Sequence, residues 1–149
     1  MDADETAYRA LYAEYEKAGN PPLHGRLGLE LVQLTPTTIM RMPLGDEVRG
    51  ASPGSVHGGM LAVFADVAAA VALWRSVDAR HQLPITTDLH MRYYRQPSSG
   101  PLTAEAAVVH AGKRLLSTEC SITDAENRLL ARSSATYMVT ERGPLPAGQ

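Results

Sequence analysis

The sequence predicts an α+β domain in which one long, buried helix is wrapped by an antiparallel sheet of five to six strands. Three observations carry that expectation. Residues 58–77 are apolar or small on every side until Arg75, with Asp66 as the one exception, and a helix without a polar face must be surrounded by protein. Four segments rich in alternating and β-branched residues follow it, separated by turn-forming residues. The chain has 149 residues, enough for one real core and short for two.

Each element can be justified in order. Within 4–18, Tyr8, Leu11, Tyr12 and Tyr15 recur at three- and four-residue spacing, which predicts a short amphipathic helix. Asn20, Pro21 and Pro22 stop it, so 1–26 reads as an N-terminal helix and linker. Alternation over 27–44, with a turn near Thr35 and Pro36, predicts a hairpin or one bent strand. Residues 45–55 form a loop dense in Gly, Ser and Pro. In the long helix, Ala62, Ala65, Ala68, Ala69, Ala70 and Ala72 keep the rod thin enough for a sheet to approach closely. Strands are expected at 85–94, 102–109, 115–123 and 129–139, and the short turns between them imply antiparallel neighbours. The domain therefore spans 27–140, and 141–149 reads as a flexible tail.

The composition narrows the function classes. A net charge of −2 gives no footprint for nucleic acid or an anionic membrane. A lone cysteine, Cys120, excludes an internal disulfide framework and fits a reducing compartment. The acidic N-terminus lacks the pattern of a signal peptide. The greasiest stretch, 60–74, is too short to span a bilayer and carries Asp66 in its middle. These features predict a soluble cytoplasmic protein.

One stretch, GASPGSVHGGMLAVFAD over 50–66, offers two incompatible active sites. Its start fits the G-x-S-x-G pattern of a serine hydrolase. In such an elbow the residue after the serine donates its amide to an oxyanion, whereas here that residue is Pro53, which has no N–H. Ser52 also falls in a loop rather than between a strand and a helix, so it is read as a turn residue. The second half is more informative. Gly58 and Gly59 allow a ligand to approach the backbone where the long helix begins, and free amides at that end can hold a developing oxyanion. Asp66 lies two turns on, beside Phe64, Ala65 and Val67. An unpaired carboxylate in such surroundings is costly, and one held there is suited to general-base work.

His57-Gly58-Gly59, the six-residue gap, Asp66 and then Ala68 resemble the motif of hotdog-fold acyl-CoA thioesterases of the phenylacetate-pathway (PaaI-like) type. The later text is similar too: TTDLHMRYYRQP resembles the family strand ending in a Tyr-Arg-Pro-like turn, and Gly112-Lys113-Arg114 the Gly-basic-basic turn. The resemblance covers about 27–140. It implies a hotdog fold and hydrolysis of an acyl- or aryl-CoA thioester. It further implies that the Gly58 amide polarises the carbonyl and that Asp66 activates water or attacks. Thr86 would orient the water, and His57 would help position the carbonyl. Relatives often carry Asn six residues before the histidine; here Ala51 stands there, and Ser52 or Ser55 would have to replace its contact.

Gly58 and Asp66 are eight residues apart, about 12 Å along a helix axis. Free amides point off the helix end while Asp66 points sideways, so one thioester can hardly meet both on one helix. Gly58 of one subunit is therefore expected to work with Asp66 of another across a two-fold axis. The family resemblance likewise implies a homodimer, often a dimer of dimers.

The acyl pocket is expected around Met60, Phe64 and residues of the partner chain, with Tyr93 or Tyr94 facing inward. Gly59 would lie against the substrate. Arg92, Arg95, Lys113 and Arg114 are candidates for the phosphates of CoA. No cofactor is expected beyond CoA as part of the substrate, and no metal site, because His24, His57, His81, His90 and His110 lack ligand-like spacing. Two rival readings are a hotdog acyl-CoA hydratase or dehydratase and a non-catalytic acyl-CoA-binding protein.

Overall fold

The structure, a computed structural model, describes residues 3–19 and 21–143. The sequence-predicted tail lies mostly outside the described residues. Helix α1 (Ala3–Lys17) turns Leu11, Tyr12 and Tyr15 inward, as their spacing requires, and these three join the same core as the sheet. Glu5 ties this helix down: Thr35 Oγ1 donates to its carboxylate at 2.7 Å and Arg9 Nε at 2.9 Å, while Arg9 Nη2 donates to the Val32 carbonyl at 2.6 Å.

The segment expected to be only linker contains a six-residue helix, α2 (Pro22–Leu27). Proline suits a first turn, where its missing N–H costs nothing, and Gly28 ends the helix at φ 62°, a conformation that favours glycine. Strands β1 (Glu30–Gln33) and β2 (Thr38–Met42) form the hairpin, with Thr35 and Pro36 in its turn. A 3-10 turn, Asp46–Val48, interrupts the following loop.

The buried rod is α3 (Gly58–Ala72), continued by a 3-10 turn over Leu73–Ser76. The two make 19 helical residues, long and apolar enough by length and composition to cross a membrane, which corrects the shorter count taken from the sequence. The sheet accounts for that apolarity. Strand β2 and the strands β3 (Gln82–Tyr93), β4 (Leu102–Ala111), β5 (Leu115–Thr123) and β6 (Leu129–Glu141) all pack on α3. Phe64, Ala65, Ala68 and Ala69 have no exposed surface.

The six strands form one sheet in the order β1-β2-β4-β5-β6-β3, with every neighbouring pair antiparallel. The expectation that consecutive strands are neighbours fails once. The link between β3 and β4, 94–101, is too long for a tight hairpin, and it carries the chain away from β6 to pair with β2 instead. β3 is thereby left as an edge strand, with Ile85 and Tyr93 exposed along it.

Candidate active site

The start of α3 is built from short contacts. His57 is its N-cap, in extended conformation, and His57 Nδ1 accepts the Gly59 N–H at 3.0 Å. The His57 carbonyl accepts from Met60 and Leu61 at 2.9 and 3.3 Å. The amide of Gly58 has no partner among the described residues, so it is the one left for a ligand. With Nδ1 accepting, a neutral His57 ring carries its proton on Nε2 and offers a second donor. Tyr93 covers the inner side of this tip: its hydroxyl donates to the Gly58 carbonyl at 2.9 Å. A Cβ on Gly58 would stand 3.5 Å from its ring.

The preceding loop engages its own serines. Ser55 Oγ donates to the Ser52 carbonyl at 2.6 Å and accepts the Ser52 N–H at 3.2 Å. Ser52 and Ala51 are exposed in a loop. His57 N–H donates to the Val48 carbonyl at 2.8 Å, and Gln96 holds Val56 on both sides, its Oε1 accepting the Val56 N–H at 2.8 Å and its Nε2 donating to the Val56 carbonyl at 3.4 Å.

Asp66 is half-buried on the side of α3 that faces β3 and β6. Its Oδ1 accepts two hydrogen bonds, from Thr86 Oγ1 at 2.7 Å and from Tyr137 Oη at 2.8 Å. Thr86 and Tyr137 are direct cross-strand partners of β3 and β6, which is why both reach one oxygen. A bulge between Thr86 and Asp88 follows at once, a device often found beside functional sites. Tyr137 is fully buried. Burial, then the Asp66 charge and the bond to it, pushes its hydroxyl well above the usual range, so it stays a donor. The other carboxylate oxygen, Oδ2, accepts nothing from the described residues. Asp66 makes no ion pair among them either.

A cavity of about 460 Å³ opens beside Asp66 and Thr86. Its far wall comes from Tyr12 and Tyr15 of α1 and from Trp74. Met60 and Phe64 do not line it: Met60 is half-buried against the core, and Phe64 is wholly inside it. Gly58, Gly59 and His57 of the same chain do not line it either.

The four basic candidates are exposed and also lie off the cavity. Because Tyr93 faces α3, Arg92 points to the opposite face of the sheet, across from Arg132. Arg95 follows β3 at the Gly58 end. Lys113 and Arg114 occupy the β4–β5 turn at the other end, where the Arg114 carbonyl accepts from Val139, the partner of Pro84.

Tyr137 and the α1 wall were not found from the sequence. The only signal was the inward alternation of Ser133, Ala135 and Tyr137, which gives a face but no partner. No three His, Cys, Asp or Glu side chains among the described residues are grouped as metal ligands.

Residues 53–131, just over half of the chain, match the family model described as the thioesterase superfamily. The chain is 29% identical over 122 residues to a protein of Deinococcus radiodurans that carries the provisional name of esterase, covering 81% of this chain and 76% of that one. It is 27% identical over 115 residues to the 1,4-dihydroxy-2-naphthoyl-CoA hydrolase of Listeria monocytogenes, covering 77% and 85%. The E. coli PaaI protein of the phenylacetic acid degradation operon has a similar fold, with a TM-score of 0.74 at 22% identity over 93% of this chain and 95% of that one.

Proposed function

The chain belongs to the thioesterase superfamily, a family of thioester hydrolases with the hotdog fold, and from that premise we propose that it hydrolyses an acyl-CoA to a carboxylic acid and free CoA. One observation carries the reading: a carboxylate held through one oxygen by Thr86 and Tyr137, with its other oxygen unclaimed by the described residues, beside a cavity large enough for an acyl group.

The hydrogen-bond directions favour general-base action. Thr86 spends its proton on Asp66 Oδ1, so its oxygen can only accept. A water between Thr86 Oγ1 and Asp66 Oδ2 has both protons taken and a lone pair free for the thioester carbonyl. Asp66 takes one proton as the water attacks. The amide of Gly58 then holds the oxyanion, an interaction worth about 3–4 kcal/mol in comparable sites. Collapse of the tetrahedral intermediate releases the thiolate, which leaves without needing a strong acid.

Two subunits complete the site. Within one chain Gly58 packs on Tyr93 and Asp66 on Thr86, two places seven residues apart on β3. β3 is an edge strand and presents unpaired backbone groups. Two copies of β3 running antiparallel, with Tyr93 opposite Thr86 of the partner subunit, bring each helix tip to the other's Asp66. Counted past the bulge at Thr87, the two-fold axis then passes at His90. The same operation carries Arg95 toward the partner's Lys113 and Arg114, which gathers these three basic residues near one mouth for the CoA phosphates, with Arg92 left on the opposite face of the sheet.

Thiol release from aryl-, short-, medium- and long-chain acyl-CoAs, measured beside Asp66→Asn, tests the proposal. A loss of about 10²- to 10⁴-fold in the variant is expected. Hydration of an enoyl-CoA without thiol release would identify a hydratase instead. Tight CoA binding with neither reaction would identify a binding protein.

A further inference from the structure

The cavity beside Asp66 contains two polar groups that the proposed hydrolysis does not use. Tyr12 and Arg142 both line it, and one donor of each, Tyr12 Oη and Arg142 Nη2, is buried without a hydrogen-bond partner among the described residues. Buried donors of this kind are rare in folded proteins and each calls for an explanation. Ring contacts hold both side chains in place. The Tyr12 ring lies 5.9 Å from the Trp74 ring, and Tyr15 lies 5.5 Å from it. The Arg142 guanidinium sits over Tyr15 at 4.4 Å and over Trp74 at 5.8 Å, while its Nε donates to the Gln82 carbonyl at 3.4 Å.

From this we infer that the acyl group carries a carboxylate at the end remote from the thioester, held by Arg142 and Tyr12 inside an aromatic cage; the inference rests on the hydrolase reading above. A guanidinium can only donate, and a ligand hydroxyl could pair with Tyr12 yet leave the half-buried Arg142 cation without a counter-charge. A carboxylate satisfies both, because it accepts from two donors and matches the charge. Burial, then the charge of Glu16, pushes the Tyr12 hydroxyl up to about 12, so it is a donor at neutral pH. His24, also on the cavity wall, has its imidazole pKa lowered by burial and brings no second cation. Glu16 lines the rim but is exposed and forms no ion pair with Arg142.

Two paths give the length. Asp66 to Trp74 is eight helical residues, about 12 Å. Thr86 to Gln82, whose carbonyl holds Arg142, is four strand residues, about 13 Å. Side chains reach in from both ends and shorten this span, leaving room for one ring or a chain of about six to eight carbons. The class is thus a monothioester of a dicarboxylic acid. Tyr12, Tyr15 and Arg142 lie outside 53–131, so the two donors that choose the acyl group come from beyond the residues that match the family model.

Paired substrates test this: suberoyl-CoA against octanoyl-CoA, and 4-carboxybenzoyl-CoA against 4-methylbenzoyl-CoA and 4-hydroxybenzoyl-CoA. The expected result is a kcat/KM at least about tenfold higher for the carboxylated member of each set. Arg142→Met should erase that preference while thiol release from octanoyl-CoA stays measurable, and Tyr12→Phe should reduce the preference by a smaller factor. Equal rates for carboxylated and plain substrates, a hydroxyl probe as good as the carboxylate, or a preference that survives Arg142→Met would overturn the inference. Trp74 is the single tryptophan of the chain and reports binding without any hydrolysis. Quenching by 4-carbamoylbenzoate but not by 4-methylbenzamide, lost in Arg142→Met, supports the cage even if no thioester is cleaved. Equal quenching by both, in a protein that does hydrolyse acyl-CoAs, removes the cage and leaves the hydrolase standing.

Discussion

At the scale of single residues, the site depends on where a few protons and lone pairs are spent. Tyr137 and Thr86 share one oxygen of Asp66, and that sharing leaves the other oxygen without a donor among the described residues. Tyr137→Phe removes one donor from a charged acceptor and is expected to cost about 1.5–3 kcal/mol of stability. Its kcat should fall about tenfold with KM little changed, because the residue orients the base and does not hold the acyl group. Melting curves and steady-state kinetics check both. Gly58→Pro is the sharper variant. Gly58 opens α3, where proline is accepted, and His57 before it already has the extended backbone (φ −64°, ψ 127°) that a following proline requires. The variant should therefore fold normally while turnover drops about 10²- to 10³-fold, since proline removes the N–H at the helix tip and sets its ring Cδ in that place. A wild-type rate would remove Gly58 from the mechanism. Asp66 was legible in the sequence because a lone acid in a greasy rod is conspicuous. Tyr137 was not, because nothing in the letters says which strand faces it.

At the scale of elements, the β5–β6 turn shows how polar groups can fix a connection. Asp124 is buried, and its carboxylate accepts the amides of Glu126 and Arg128 at 3.1 and 3.0 Å and pairs with the Arg128 guanidinium at 2.8 Å. Burial opposes its ionisation, yet the Arg128 amide and side chain and the Ser98 amide outweigh it and pull the carboxyl down to about 2. A folded-state pKa below the unfolded value means that the unfolded chain binds the extra proton. The stabilisation is thus complete above about pH 4 and disappears as the pH falls towards 2. Melts between pH 5 and pH 2 should show Asp124→Asn less stable at pH 5 and losing less on acidification. The remaining acid sensitivity comes from Glu5, Asp78 and Glu126, whose carboxyls are lowered as well. Helix existence and strand existence were readable here from period and turn residues. The transfer of β3 to the sheet edge was not, because it depends on a connection that pairs neither of its ends.

At the scale of the whole molecule, the proposed pairing of subunits makes a prediction that no single-chain site can satisfy. Chains carrying Gly58→Pro and chains carrying Asp66→Asn are each inactive in their own dimers. In a mixed dimer, one site combines an intact Gly58 with an intact Asp66 and the other has neither. Random mixing makes half of the dimers mixed, with half of their sites intact, so about a quarter of wild-type activity should return. Mixing that restores no activity would place both groups in one subunit. The exposed Ile85 and Tyr93 on the edge strand are the surface such a dimer covers.

The sequence by itself determined the buried helix, the strands that surround it and the presence of a glycine-led tip and a single acid on that helix, because periodicity and unpaired charge are local properties of a chain. Only the tertiary structure decided that Thr86 and Tyr137 meet on one oxygen, that β3 is an edge, and that α1 closes a cavity with Tyr12 while Arg142 reaches it from beyond β6. Those are consequences of register and packing between segments up to 130 residues apart, and no local pattern encodes a distance across the fold.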